Sequence, residues 1–419
     1  MFDTRPGLLE EVRSRFAHVE SCPFTGERVF FENAGGALTL NSVVETSARF
    51  AAIPDNQGRD NPASKALQDI IDRAKDDMRV FFGAPDGTFF VGESGTELLF
   101  RLISAACLGT PDGRVLGSTL EHPATRSAAS RWAGVAGKSH VLVPHDDATG
   151  SVEAAHYVPE ITPDTQVATI LHTSPVTGMG TDVAAIARAI RAVAPDCFII
   201  VDGIQHAAHG RLDIESYDID GYVVSPYKVF SRHGYGVAWI SDRLAALPHD
   251  HLTNAPGAPW ELGTRDTGAY ATFSDVVGYF EWLGSRFTDA TDRRARIKAA
   301  GEAIHDHEKR LTDAMISGTG NLPGLADISG VTILSGLDNP RREGLVSLDL
   351  EGVPAPDLVA KLRERGIRTH VRKADHYSGN ILDPLGMSSC VRVSMCHYNT
   401  EAEVAAFLGA VREIAEDRR

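Results

Sequence analysis

From about residue 85 to 245, short β-branched apolar runs alternate with stretches whose apolar positions recur at helical spacing. TFFVG, RVLGS, QVATILH, CFIIVDG, GYVVSP and GVAWIS are the strand candidates, separated by amphipathic segments such as DVAAIARAIRAV. That alternation predicts βαβ units, right-handed crossovers and a mostly parallel sheet. The stretch from Asp289 to Met315 predicts one long polar-faced helix linking two domains. After it, VSLDLEG, APDLVAKLRERG, IRTHVRK, CVRVSMC and EAEVAAFLGAVREIAE predict a small α+β domain. The expected division is an arm over 1–25 that packs with the small domain, a large domain over 26–288, and the linking helix with the small domain over 289–419.

A length of 419 residues suits this two-domain division. Lys and Arg number 41 against 56 Asp and Glu, a formal charge of -15 that would repel a nucleic acid or an anionic membrane surface. No run of 18 apolar residues occurs, so no membrane span is expected. The start, MFDTRPGLLEEVRSRF, lacks an apolar secretion signal, and the expectation is a cytoplasmic protein. Five scattered cysteines without CxxC spacing argue against a disulfide framework and a zinc site. Neither the HDH at 249–251 nor His305 with His307 makes a convincing metal set, so no metal is expected.

Ligands of an open parallel sheet bind at the carboxyl ends of its strands. CFIIVDGIQHA puts Asp202 at one such end, and GYVVSPYKVFSRHG puts Ser225 and Lys228 at the next. An amine to hold an aldehyde, with a carboxylate to keep a pyridine nitrogen protonated, is the requirement of pyridoxal 5′-phosphate (PLP). Desolvation by Val223, Val224 and Val229 would lower the Lys228 pKa and make the amine a nucleophile. A nicotinamide cofactor is disfavoured, because no GxGxxG follows the first strand and GTGNLPG at 318–324 has the wrong spacing.

VDGIQHAAHGRLDI followed by SPYKVFSRHGYG resembles the motif of cysteine desulfurases and class V aminotransferases, most closely a desulfurase-like subgroup without the persulfide cysteine. FENAGGAL, GESGTELLF, LEHPATRSAASRWA, WELGTRDTGAYATFSDVVGYFEWLG and VRVSMCHYNTEAEV extend the resemblance over nearly the whole chain. It implies the fold type I architecture of PLP-dependent transferases: α/β, with a mostly parallel seven-stranded sheet in the large domain and a small α+β C-terminal domain. It also implies a Schiff base on Lys228, His122 stacked on the cofactor ring, and Asp202 on the pyridine nitrogen. Gly95, Thr96 and Ser225 would hold the phosphate, helped by the positive end of the helix that GESGTE opens. Gln205 would donate to the ring oxygen O3′. Arg392 would bind the substrate carboxylate, with Arg372 as a second candidate and Asn33 and Arg59 also assigned to substrate. Arg59 and Thr264 resemble residues contributed across a symmetric homodimer, Thr264 to the partner's phosphate.

The chain departs from the family in three places. VRKADHYSGNILD carries His376, Tyr377 and Ser378 where a desulfurase has its mobile cysteine, which disfavours persulfide formation. Pro175 stands at the usual O3′-bonding asparagine, and Tyr227 replaces a histidine before the lysine. The expected activity is transamination of an amino acid through Lys228. A lyase that expels a β substituent such as sulfur without a cysteine nucleophile is the alternative. A non-catalytic PLP carrier is the third possibility.

Overall fold

The computed structural model describes residue 2 and residues 5–417; the outermost residues of the terminal ranges, 1, 3, 4, 418 and 419, lie outside it. A seven-stranded sheet is built from β1 (Thr88–Gly92), β2 (Arg114–Ser118), β3 (Ser139–Val143), β4 (Thr165–Leu171), β5 (Phe198–Asp202), β6 (Gly221–Val224) and β7 (Gly236–Ile240). Their spatial order is β1-β7-β6-β5-β4-β2-β3. Pairs from β6 through β3 are parallel, whereas β7 runs antiparallel to both β6 and β1. The expected mostly parallel seven-stranded sheet is present.

Alternation along each strand divides its side chains between two cores. Phe89, Val91, Leu116, Ile199, Val201, Val224 and Val237 enter one cluster. Phe90, Val115, Ile200, Val223, Ala238 and Ile240 enter another on the opposite face. Helices cover both faces, as a parallel sheet demands. On the first face lie α1 (Pro62–Phe82), α4 (Val183–Val193), α5 (Thr267–Gly284) and the start of α6 (Arg293–Ser317). The second is covered by α2 (Gly95–Leu108) and α3 (Pro123–Val135).

Beyond α6, β8 (Val331–Ile333), β9 (Leu345–Leu350), β10 (His370–Lys373) and β11 (Ser389–Ser394) form an antiparallel sheet in the order β8-β9-β11-β10. It packs with α7 (Ala355–Glu364) and α8 (Glu401–Asp417) around a separate core that includes Leu348, Leu358, Val393 and Phe407. The N-terminal segment touches both bodies. Phe2, Leu8, Val12 and Phe16 join the large core, while Val29–Phe30 pairs in parallel with Ile367–Arg368 of the small one. No helix among the described residues is long and apolar enough to cross a membrane.

Candidate active site

The carboxyl ends of β2, β4, β5 and β6 and the first turn of α2 converge on a cleft of about 380 Å³ lined by Thr96, His122, Leu171, Pro175, Asp202, Ile204, Gln205, Ser225, Tyr227 and Lys228. Six residues singled out in the sequence, Thr96, His122, Asp202, Gln205, Ser225 and Lys228, therefore meet in one place.

Lys228 closes the single 3₁₀ turn Pro226–Lys228 that follows β6, so a short rigid turn fixes its stem. Its Nζ donates to Gln205 Oε1 at 3.1 Å. Burial, then the charges of Arg392 and Arg372, bring its pKa down to about 7, against the opposing pull of Asp202.

Asp202 is only 2% exposed and makes no ion pair among the described residues. Its oxygens accept from Thr125 Oγ1 at 3.0 Å and from the Ile204 amide at 3.1 Å. Burial raises its pKa, and the two hydrogen bonds with Lys228 oppose that rise. A buried carboxylate so equipped is short of one cation. A protonated pyridine nitrogen supplies one.

His122 caps α3, its Nδ1 accepting from the Ala124 amide at 3.2 Å. Burial, then Lys228 and two arginines, depresses its pKa to about 3, so the ring is neutral with its proton on Nε2. At the other end, Gly95 sits in the first turn of α2, and a Cβ there would fall 2.5 Å from Ser225 Oγ. The missing side chain lets Ser225 and Ile204 close directly onto the first turn of α2. That brings the Ser225 hydroxyl to the helix's N-terminal end, where Thr96 and Ser225 both line the cleft as donors suited to a phosphate. Amine, lone carboxylate, neutral ring and phosphate cradle together fit PLP.

Arg392, 3% exposed on β11, donates through Nη1 to the Pro175 carbonyl at 2.9 Å and has no acidic partner among the described residues. The nearby Glu32 pairs instead with Arg368 and His370. Burial and then Arg372 lower the Arg392 pKa to about 9. A substrate carboxylate would complete it. Arg372 on β10 donates to Ser378 Oγ at 2.8 Å and is only partly buried.

Two expectations need correction. Asn33 is not free for substrate: its amide donates to Phe30 O, Ser394 O and Asn399 Oδ1, and its oxygen accepts from Tyr398. It ties the N-terminal segment to the end of β11. Gln205 turns its carbonyl, not its amide nitrogen, toward Lys228, so in this arrangement it accepts rather than donates on the cleft side. Arg59 and Thr264 are exposed and do not line the cleft of their own chain.

Sequence reasoning passed over Thr125, although its place three residues after His122 on α3 puts it one helical turn away. It also passed over Glu121, which is buried beside the site and pushed up to about 8 by burial, with Asp202 adding to the effect. Cys390 and Cys396 are buried, burial raises both thiols, and no cysteine lines the cleft.

Comparison with known proteins bears on the family and the fold. The aminotransferase class-V family model matches residues 29–407. The cysteine desulfurase-like protein ustD of Aspergillus flavus is 26% identical, over 97% of this chain and 90% of its own length. The nonribosomal peptide synthetase-like enzyme fsqF of Aspergillus fumigatus is 27% identical over 92% of this chain, which spans only 26% of that much longer protein. An apo cysteine desulfurase from Thermococcus onnurineus NA1 superposes with a TM-score of 0.81 at 20% identity, covering 97% of this chain and 98% of its own, and so shares the fold. With PLP as its cofactor, the chain belongs to the aminotransferase class-V family.

Proposed function

We propose that the chain acts on the α-amino group of an amino acid by transamination, using Lys228 as the residue that holds PLP. The observation that carries this is the pairing across one cleft of a lysine depressed to about 7 with a buried carboxylate that has no cation. When bound, PLP supplies an electron sink for the electrons left on Cα after a bond there breaks. Asp202 would keep a proton on the ring nitrogen. Gly95, Thr96 and Ser225 would hold the phosphate, and the neutral His122 ring would shield the cofactor from water.

Arg392, with Arg372 behind it, fixes the substrate carboxylate. Lys228 Nζ, freed when the substrate's amino group takes its place on the cofactor, would then be a neutral amine above about pH 7 and could take the proton from the substrate's Cα. A homodimer would bring Arg59 and Thr264 of each subunit toward the other's site.

A second reading is elimination of a β sulfur substituent without a cysteine nucleophile, favoured by the likeness to ustD, a cysteine desulfurase-like protein. A route through a protein persulfide is disfavoured, because the segment after Arg372 carries His376, Tyr377 and Ser378 and the cleft holds no thiol. The deciding experiment incubates PLP-loaded enzyme with a panel of amino acids. A new oxo acid with the amino group retained on the cofactor supports transamination, and pyruvate with ammonia supports elimination. Protein that never takes up PLP overturns both.

A further inference from the structure

Behind Lys228 a chain of hydrogen bonds runs away from the cleft into the interior. Gln205 Oε1 accepts from Lys228 Nζ at 3.1 Å, and Gln205 Nε2 lies 3.2 Å from His209 Nε2. His209 Nδ1 in turn lies 2.8 Å from Glu308 Oε2, a residue of α6. His209 is 2% and Glu308 1% exposed, so bulk water does not mediate these contacts.

Hydrogen-bond chemistry restricts the proton positions. An amide nitrogen carries donors only, so the contact with Gln205 Nε2 requires His209 Nε2 to be a bare acceptor. The single proton of a neutral His209 must then sit on Nδ1 and point at Glu308, which must be a carboxylate to receive it. A proton added on Glu308 Oε1 would meet no acceptor, since that buried oxygen has no partner among the described residues. The added proton therefore goes to the imidazole or to the oxygen facing it, and either place breaks this pattern. If it stays on the imidazole, Nε2 becomes a donor. If Glu308 takes it and donates to Nδ1, the imidazole proton is displaced to Nε2, which again becomes a donor. Either way two donors face each other, and turning the Gln205 amide by half a turn relieves the conflict at His209 when Lys228 is unprotonated and its lone pair can accept. The amide nitrogen would then face Lys228 and the cofactor.

We propose that His209 and Glu308 are positioning residues that act as a proton-counting latch on Gln205. With one proton the pair presents the carbonyl to the cleft, and with two it presents the amide nitrogen. The proposal rests on the PLP reading for its consequence but not for its geometry. The charged and titratable groups facing the pair are Glu343 from the loop before β9, Cys396, His397 and Tyr398 from the segment after β11, and Lys228 across Gln205. Glu308 and Glu343 raise the proton affinity of His209, while burial and Lys228 lower it.

His209, Glu308 and Cys396 also place potential ligand atoms within 4.8 Å of one another, which could suggest a metal site. The 2.8 Å contact argues against that use. Two atoms on one tetrahedral ion, with bonds of about 2.0–2.1 Å, stand roughly 3.3 Å apart.

Long-range proton–nitrogen NMR of the ¹⁵N-labelled apoprotein tests the latch without any cofactor, with His209 assigned by its loss in His209→Asn. The expected result is a protonated Nδ1 and bare Nε2 at alkaline pH, with Nε2 gaining a proton as pH falls. An Nε2 that is protonated throughout, or bare throughout the folded range, overturns the proposal.

In the PLP-loaded enzyme, Glu308→Gln should move the pH midpoint of the visible absorbance change downward by about one unit or more, and Glu308→Asp should restore it. An unmoved midpoint in Glu308→Gln, or a stoichiometric ion in the purified protein, also overturns the latch. Failure to bind PLP would instead defeat the functional reading and leave the NMR result standing.

Discussion

The guanidinium of Arg392 hangs from the carbonyl of Pro175 at 2.9 Å, so a residue with no side-chain donor contributes to the site through its backbone. This contact joins the small domain's β11 to the loop after β4. The remaining donors of Arg392 have no acid to meet. Arg392→Gln should therefore lower kcat/KM for α-amino acids by about 10²-fold, since a charged hydrogen bond contributes about 1.5–3 kcal/mol. Steady-state kinetics checks this. An amine substrate lacking the carboxylate should show no such loss.

Asp202→Asn keeps the shape of the side chain but removes the charge. Its single oxygen can still accept from the Ile204 amide, while its nitrogen faces Thr125, whose hydroxyl can turn to accept. Turnover should fall by roughly 10²–10³-fold, in line with about 3–5 kcal/mol for deleting one partner of a buried pair. PLP titration by absorbance should still show binding. Full activity in this variant would contradict the assignment of Asp202 to the ring nitrogen.

The Lys228 amine is held down to about 7 chiefly by burial. The direction of its pH effect follows: below that pH the group is an ammonium without a nucleophilic lone pair, and above it the free amine predominates. The rate at which apoprotein gains the yellow colour of lysine-bound PLP should climb as pH rises through about 7 and level off above it. Lys228→Ala should gain no such colour at any pH. A rate still climbing toward the ordinary lysine pKa would show that burial does not act as described.

Gly95→Ala should fold, because the helix α2 tolerates alanine, but the new Cβ would meet Ser225 Oγ at 2.5 Å and Ile204 Cδ1 at 2.6 Å. PLP affinity should fall at least about tenfold, through crowding of the phosphate space and loss of alignment of its donors. Ser225→Ala should weaken binding by less. Equilibrium dialysis against PLP distinguishes the two.

Of the five cysteines, Cys22 alone is not buried, and hydrogen bonds from Thr25 and the neighbouring backbone lower its thiol pKa to about 7. Brief alkylation of the native enzyme should modify Cys22 first and leave turnover intact. Loss of activity that tracks alkylation of another cysteine would revive a thiol-dependent mechanism.

Much of the fold was legible because the strands that carry the site are short apolar runs ending in polar residues. CFIIVDG ends in Asp202, and GYVVSP leads directly to Lys228, so a local pattern and the rule about strand ends located the cleft. SHVLV, the strand β3, went unnoticed at the sheet edge, where its exposed and half-buried residues weaken the signal. Long-range contacts were illegible. Asn33 meets Asn399 across 366 residues and His209 meets Glu308 across 99, and neither distance leaves a trace in local periodicity. The assignment of Asn33 to substrate failed for that reason: a buried amide looks the same in sequence whether a ligand or the protein satisfies it.

The reversed direction of β7 has a mechanical result. Gly236 opens that strand beside the first turn of α2, where a Cβ would come within 2.7 Å of the Gly95 nitrogen, and only seven residues separate it from Lys228. The first turn of α2 and the turn that carries Lys228 are thus tied together through one strand, Gly236 packing on the former and Val237 pairing with Val224 just before the latter. A substitution that shifts this strand would therefore move both turns at once and alter the distance across the cleft, whereas changes in the exposed loop 249–257 would leave that distance untouched.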